Sequence, residues 1–322
     1  MRCEGGVLNE PKNQHLYVPK SIIKNFVDPL ASQKKVFSAR KDRPNRVRNC
    51  SPKKVFTEPD VFTLRNERPE DRYRVENYIS RAENGFAAVY HQKIRPAVRR
   101  QECPTLSAND FVAVISFFAL QARRSLAGRR AAADYIRSDE AVDDLTNDFI
   151  GHPRKKYIGY NNIILPNTYD NVRSCVALGL ERVDVKEMSA KSILVQEDVI
   201  QPNSLIHELC RRGLTIEVIK NPTPMNSFVL GNNPIIEAGN GGSSDLRINT
   251  EAERILPTAP DVCISSVGPT GSVRLALLDD IGHIKDLNLA VTKRSTEIVA
   301  SNRGLLENLG RSVWWGERQN SA

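Results

Sequence analysis

Apolar residues recur at alternating spacings of four and three from Arg72 to about Ile94, at Val75, Ile79, Ala82, Phe86, Val89 and Tyr90. That rhythm predicts an amphipathic helix with one continuous apolar seam. Phe111, Val112, Val114, Ile115, Phe117, Phe118 and Leu120 are apolar all round, as a central buried helix requires, and Ser107 with Asp110 three residues on predicts its capping box. These two helices are expected to pack on each other. Shorter patterns predict a helix over Lys20–Val27, strands near Val36–Ser38 and Val61–Leu64, and a helix from about Arg129 to Phe149 with Tyr135, Val142, Leu145 and Phe149 inward. Further helices are predicted around Tyr169–Leu180 and Ser204–Arg212.

Beyond Gly213 the period changes from helical to strand-like. Leu214, Ile216 and Val218 alternate, Ser227–Leu230 reads as a strand, and Cys263–Val267 with Ser272–Leu277 reads as a hairpin around GPTG. AGNGGSSD is expected to be a mobile loop. The last helix is expected near Leu287–Ala300, before an apolar tail ending in Trp314 and Trp315. The fold class is α+β: a helical N-terminal and central section packed with a smaller, mostly antiparallel C-terminal sheet. Residues 1–13 read as a flexible arm and 14–322 as one domain, with a split into a basic helical part (14–150) and an α/β part (151–322) as the alternative.

Composition narrows the function classes. No window approaches the roughly 18 apolar residues of a spanning helix, and the first residues lack a signal-peptide core, so the expected setting is the cytoplasm, with no membrane partner. The six cysteines, at 3, 50, 103, 175, 210 and 263, form no C-x-x-C pair. No cysteine has zinc-site spacing, a chain of this length without an export signal gives no support to a disulfide framework, and reduced thiols are the default expectation. The net charge of +8 is uneven: residues 1–100 hold 22 Lys and Arg against 11 Asp and Glu, leaving 24 against 27 in the remainder. Nine basic residues, including Arg43, Arg46 and Arg48, lie in Lys34–Lys54 beside one acid, Asp42. Such a field attracts phosphate backbones, and a solvated loop is its simpler reading.

No phosphate-binding glycine loop, nucleophile elbow or H-E-x-x-H is present, so candidate chemistry rests on isolated polar residues. His15, after Gln14, has the pKa range of a general acid or base. Glu76 and Glu83 share a helix face about 10.5 Å apart and suit a divalent metal, Mg²⁺ or Mn²⁺, or an attacking water. Gln121 and Arg124 close the buried helix, where an arginine clamps phosphate or stabilises the helix end. Asn232 and Asn233 follow a strand in the turn GNNP. Each also has a structural reading, as a solvated shoulder or a hydrogen-bonded turn.

In order, QHLYVP, VFSA, PKKVFTEPDVFTL, VENYISRAE, QARR, FVLGNNPII and LPTAPDVCI resemble the bacterial family catalogued as domain of unknown function 4238, from about Gln14 to Ser301. The resemblance implies that Gln14, His15, Glu76, Glu83, Gln121 and Arg124 converge. It departs at the last motif, where Gly231 and Asn232 replace a Ser-Asp pair. It implies no reaction. The leading expectation is a nucleic-acid-directed protein, in enzymatic form a nuclease of bacterial defence or toxin type. The alternatives are a non-catalytic module for nucleic acid or a partner protein, and a nucleotide-processing enzyme.

Overall fold

The structure, a computed structural model, describes residues 15–28, 34–58, 62, 64, 68, 71–125, 134, 137–151, 173–174, 176–178, 209–238 and 253–315. The chain enters through a two-residue strand, β1 (His15–Leu16), and the short helix α1 (Lys20–Ile23), extended by a 3₁₀ turn over Lys24–Phe26. Ile22, Ile23 and Phe26 are buried, as their spacing predicted. β2 (Val36–Arg40) and β3 (Arg43–Cys50) form an antiparallel hairpin, and β4 (Thr57–Glu58) returns to pair with β1. The basic stretch is therefore largely strand. Phe62 and Leu64, within the strand expected at 61–64, are buried but not in a strand.

α2 (Arg74–Val89) continues through a π turn (Tyr90–Ile94) into α3 (Arg95–Arg100), which stops at Gln101 in the left-handed region. The predicted capping box is present: Ser107 accepts from the Asp110 amide, and Asp110 accepts from the Ser107 amide at the start of α4 (Ala108–Arg124). Bonding to Lys93, and then to Ser107, holds the Asp110 carboxyl down at about 2. Val112 on α4 is 45% exposed, so this helix is buried on most of its circumference and not on all of it. α5 spans Asp139–Gly151. Its Val142 is inward as expected, but Leu145 is exposed; the side chains of Tyr135 and Phe149 lie outside the described residues.

The remaining elements are β5 (Leu214–Ile219), β6 (Leu230–Gly231), β7 (Ile236–Ala238), β8 (Glu253–Ala259), β9 (Val262–Ser265), β10 (Val273–Leu278), α6 (Ile281–Arg294), β11 (Glu297–Ala300) and α7 (Arg303–Leu309), which ends in a π turn over Gly310–Trp315. The arm 1–13, Gln14 and residues 239–245 of the expected Gly/Ser loop lie outside the described residues.

Helices dominate the N-terminal and central part and strands the C-terminal part, so the fold is α+β. Its strands form two larger sheets. One has the order β10-β5-β9-β8-β7, antiparallel except for the parallel β10–β5 pair; the other has the order β3-β2-β11-β6 and is antiparallel throughout. Two expectations are corrected here. β9 and β10 are not a hairpin, because β5 lies between them. Their connection is too long for a tight turn and wraps the start of β5: the Gly213 amide donates to the Gly268 carbonyl and the Gly271 amide to that of Arg212. Gly268 and Gly271 supply the positive φ values, 109° and 68°, that this course needs. The helix expected over Leu287–Ala300 begins at Ile281, where Asp280 caps it, and ends at Arg294; Glu297–Ala300 is the strand between β2 and β6. Ladder pairing on both sides outweighs local helical patterning there.

α2 and α4 pack as their seams predicted, with Phe86 stacked on Phe117 at 4.1 Å between centroids and 13° between planes. Ile216, Leu256 and Ile264 of the five-stranded sheet join the same apolar cluster. A second cluster gathers α6, α7 and Trp314 against Ala39, Ile298 and Ala300. The Arg95 guanidinium reaches both carboxylate oxygens of Asp261 at 2.9 Å and ties the helical layer to the β8–β9 turn. Among the described residues no helix is long and apolar enough to cross a membrane.

Candidate functional site

Two polar clusters bond the backbone of the β1–β4 region, one at Leu16 of β1 and the other at Phe56, just before β4. On the helical side, Arg124 is 1% exposed at the end of α4, where its guanidinium donates to the Glu83 carboxylate and to the Leu16 carbonyl. Its carbon centre stands 5.9 Å from the Phe62 ring centroid. One turn earlier, Gln121 is fully buried, with both amide atoms lacking a hydrogen-bond partner among the described residues. One carboxylate oxygen of Glu76 is also buried. The fold thus joins Glu83 and Arg124 directly and sets them against the backbone next to His15. The side chain of His15 lies outside the described residues, as does Gln14.

On the other side lies an open polar cleft of about 440 Å³, lined by residues that include Tyr17, Arg40, Arg48, Lys54, Glu58, Asn232 and Glu297. Glu297, at the start of β11, organises its floor. One carboxylate oxygen accepts from the Ser38 hydroxyl at 2.7 Å and from Arg48 at 3.1 Å; the other accepts from the Phe56 amide at 3.0 Å. Phe56 presents that amide from φ 56°, a backbone conformation that costs a β-carbon residue roughly 1–3 kcal/mol. Its carbonyl accepts from the Tyr17 amide at 2.9 Å, and His15 pairs in register with Glu58. One strained residue therefore links the ribbon to the carboxylate. Burial pushes the Cys50 thiol up, against the opposing pull of the nearby Arg48, and so favours its protonated form.

Asn232 and Asn233 do not join the Glu83–Arg124 cluster. The Asn232 amide oxygen accepts from the Thr296 backbone at 3.0 Å, its nitrogen donates to the Thr296 hydroxyl at 2.8 Å, and Asn233 donates to the Arg294 carbonyl. The turn thus holds the entry to β11, and with it Glu297. Aspartate in place of Asn232 would keep the first contact and receive the threonine proton in the second. At Gly231 the departure has a visible cause: a β-carbon there would stand 2.0 Å from the Ser295 hydroxyl and 2.9 Å from a Val291 methyl. Gly231→Ser is expected to destabilise the protein by about 1–3 kcal/mol, as overpacking does. The buried Ser295 hydroxyl has no partner among the described residues, so Ser295→Gly removes the nearer of the two clashes without breaking a bond and leaves the Val291 methyl to shift. Chemical unfolding of both single variants and the double should show the two changes offsetting each other. Simple additivity would mean that the contact does not explain the glycine.

Of the basic candidates, Arg43, Arg46 and Arg48 are all exposed on β3, the edge strand of its sheet. Arg48 is engaged with Glu297 and Arg40 with Asp42, at 3.2 Å; Arg43, Arg46, Lys53 and Lys54 form no ion pair among the described residues. Also among the described residues, no three His, Cys, Asp or Glu side chains stand together as a cation site. Sequence reasoning overlooked Glu297, hidden in an expected helix, and Ser38, an ordinary strand residue. Phe56 and Glu58 were on view in PKKVFTEP, where nothing local marks a left-handed phenylalanine.

Comparison with known proteins gives one match. The family model described as "Protein of unknown function (DUF4238)" aligns with residues 13–304. No curated protein and no solved structure matches the chain.

Proposed function

Starting from a chain that belongs to the DUF4238 family over nearly its whole length, we propose that it binds nucleic acid, with the phosphate backbone laid along β3 and across the polar cleft. The observation that carries this reading is the set of exposed basic side chains that form no ion pair among the described residues, Arg43, Arg46, Lys53 and Lys54, beside a cleft whose walls add Arg40 and Arg48. An exposed cation costs little to keep in water and gains by releasing counterions from a phosphate chain. The arrangement also suits an extended polyanion better than a single small anion, because Arg43, Arg46 and Arg48 are spread along β3 at about 3.4 Å per residue and Lys53 and Lys54 follow in the next turn.

Binding of a fluorescent oligonucleotide to the full chain should fall steeply with salt. The log–log slope should be near 0.9 for each duplex phosphate neutralised and near 0.7 for each single-strand phosphate. Arg43→Ala, Arg46→Ala and Lys54→Ala together should flatten the slope by up to about three such increments. An unchanged slope in the triple variant, or no binding at low salt, would reassign the patch to solubility.

A hydrolytic reading rests on a narrower observation: the Glu58 and Glu297 carboxylates line the same cleft as Arg40, Arg48 and Lys54. That combination places acid–base groups beside phosphate-binding cations. Shortening of the bound oligonucleotide with Mg²⁺ or Mn²⁺, reduced by Glu58→Gln, would add phosphodiester cleavage to binding. Intact product under all metal conditions leaves a binding module.

A further inference from the structure

Beyond the hairpin's far edge, a groove of about 530 Å³ is lined by Pro44, Asn45, Glu307, Arg311 and Trp315. Its two walls are held firmly together. Gly310 lies so near β3 that a β-carbon there would stand 2.7 Å from the Pro44 carbonyl oxygen. Trp314 is 1% exposed and its indole N–H donates to the Thr292 carbonyl at 3.0 Å, which anchors the π turn in the second apolar cluster. Successive residues of a helical turn point in different directions, so burying Trp314 leaves the next indole outward: Trp315 is 42% exposed.

A half-exposed indole offers a flat aromatic face to a ligand, and the surroundings here indicate one of particular chemistry. Arg311 brings a planar cation to the groove, with hydrogen bonds to the Glu307 carbonyl and the Asn308 side chain and no ion pair among the described residues. The Glu307 carboxylate is itself neutralised by Arg303 at 2.8 Å. Pro44 and Asn45 lie in the chain between Arg43 and Arg46, so the groove adjoins two exposed cations that form no ion pair among the described residues. An aromatic face beside a guanidinium and a run of phosphate-binding arginines is the composition that holds single-stranded nucleic acid, where a base stacks and the backbone follows the charge. A base within a duplex already has both faces covered.

We propose that Trp315 and Arg311 form a base-stacking subsite, and that the nucleic acid bound along β3 is single-stranded where it crosses this groove. The subsite rests on the nucleic-acid reading above and adds which form of the polymer it takes. The test uses the full chain at low salt with a labelled oligothymidylate of about twelve nucleotides, within the site sizes known for single-strand binders, and a duplex of the same length. Trp315 is the exposed one of the two tryptophans, so quenching of intrinsic emission reports on the groove while label anisotropy independently reports binding. The single strand should quench the emission. Trp315→Ala should weaken single-strand binding by about 5- to 150-fold and leave the duplex unchanged, and Trp315→Phe should retain most of the affinity. Because Trp315 is exposed, an unchanged unfolding midpoint should accompany both variants. Salt-sensitive binding without quenching, or with full affinity in Trp315→Ala, overturns the subsite and leaves the β3 reading standing. Failure of both oligonucleotides to bind at low salt overturns the two together.

Discussion

Phe117→Ala is expected to destabilise the protein by about 3–5 kcal/mol, measured as a shift of the denaturant unfolding midpoint. Phe117 is fully buried, and its ring lies 4.1 Å from that of Phe86, nearly parallel to it. Deleting it removes a large apolar side chain and leaves a cavity between two long helices. Those helices cannot close together, because Phe118, Ile115 and Leu120 hold α4 in place from other sides. Part of the cost is specific to the ring pair, so Phe86→Ala in the Phe117→Ala background should cost less than in the wild type. A change below about 1 kcal/mol for Phe117→Ala would mean that the α2–α4 contact is not the packed centre of the fold.

Glu83→Ala is expected to be of similar size, about 3 kcal/mol or more, because it strands a buried charge. The pair is asymmetric. The Arg124 side chain is 2% exposed, whereas that of Glu83 is 25% exposed. Without Glu83, Arg124 keeps the Leu16 carbonyl but has no counter-charge among the described residues. Without Arg124, Glu83 can turn to water, so Arg124→Met, which fills the same space with an apolar chain, should cost less than Glu83→Ala. The double variant Glu83→Ala, Arg124→Met should recover much of the Glu83→Ala loss, since no buried charge remains. Equal costs for the two single variants would show that Arg124 has a route to solvent. Because Arg124 also bonds the backbone next to His15, these variants should loosen β1 first, read as faster amide exchange at Tyr17 than in α6.

The helical centre was legible because a 3.6-residue period survives any context. Val75, Ile79, Phe86 and Val89 on one face of α2, and Val114, Ile115, Phe117 and Phe118 on α4, need only each other to leave water, and their spacing says so directly. The capping box at Ser107 and Asp110 was equally local. Strand partners carried no such mark. Leu214, Ile216 and Val218 announce a strand but not that it runs between β9 and β10, and Glu297–Ala300 reads as the end of a helix until β2 and β6 flank it. The candidate residues divided along the same line. Glu83 and Arg124 sit on the two helices whose pairing was foreseen, and they meet. Glu297 depends on three strands and a left-handed phenylalanine, and its spacing from Ser38, Arg48 and Phe56 in the chain is more than 240 residues.

By itself, then, the sequence determined what each residue does within one turn of its own helix or strand: the seams, the cap, and a basic run from Lys34 to Lys54. Those depend on local sterics, hydrophobic period and charge count, which are the same in any fold. Tertiary structure alone decided that the basic run is a hairpin with β3 at the sheet edge, that its inner strand β2 pairs with β11 from the far end of the chain, and that a cleft with two carboxylates opens beside it. Such features come from pairing segments far apart, where ladder hydrogen bonds and burial outweigh the loop entropy of joining them, and no short stretch of sequence contains that balance.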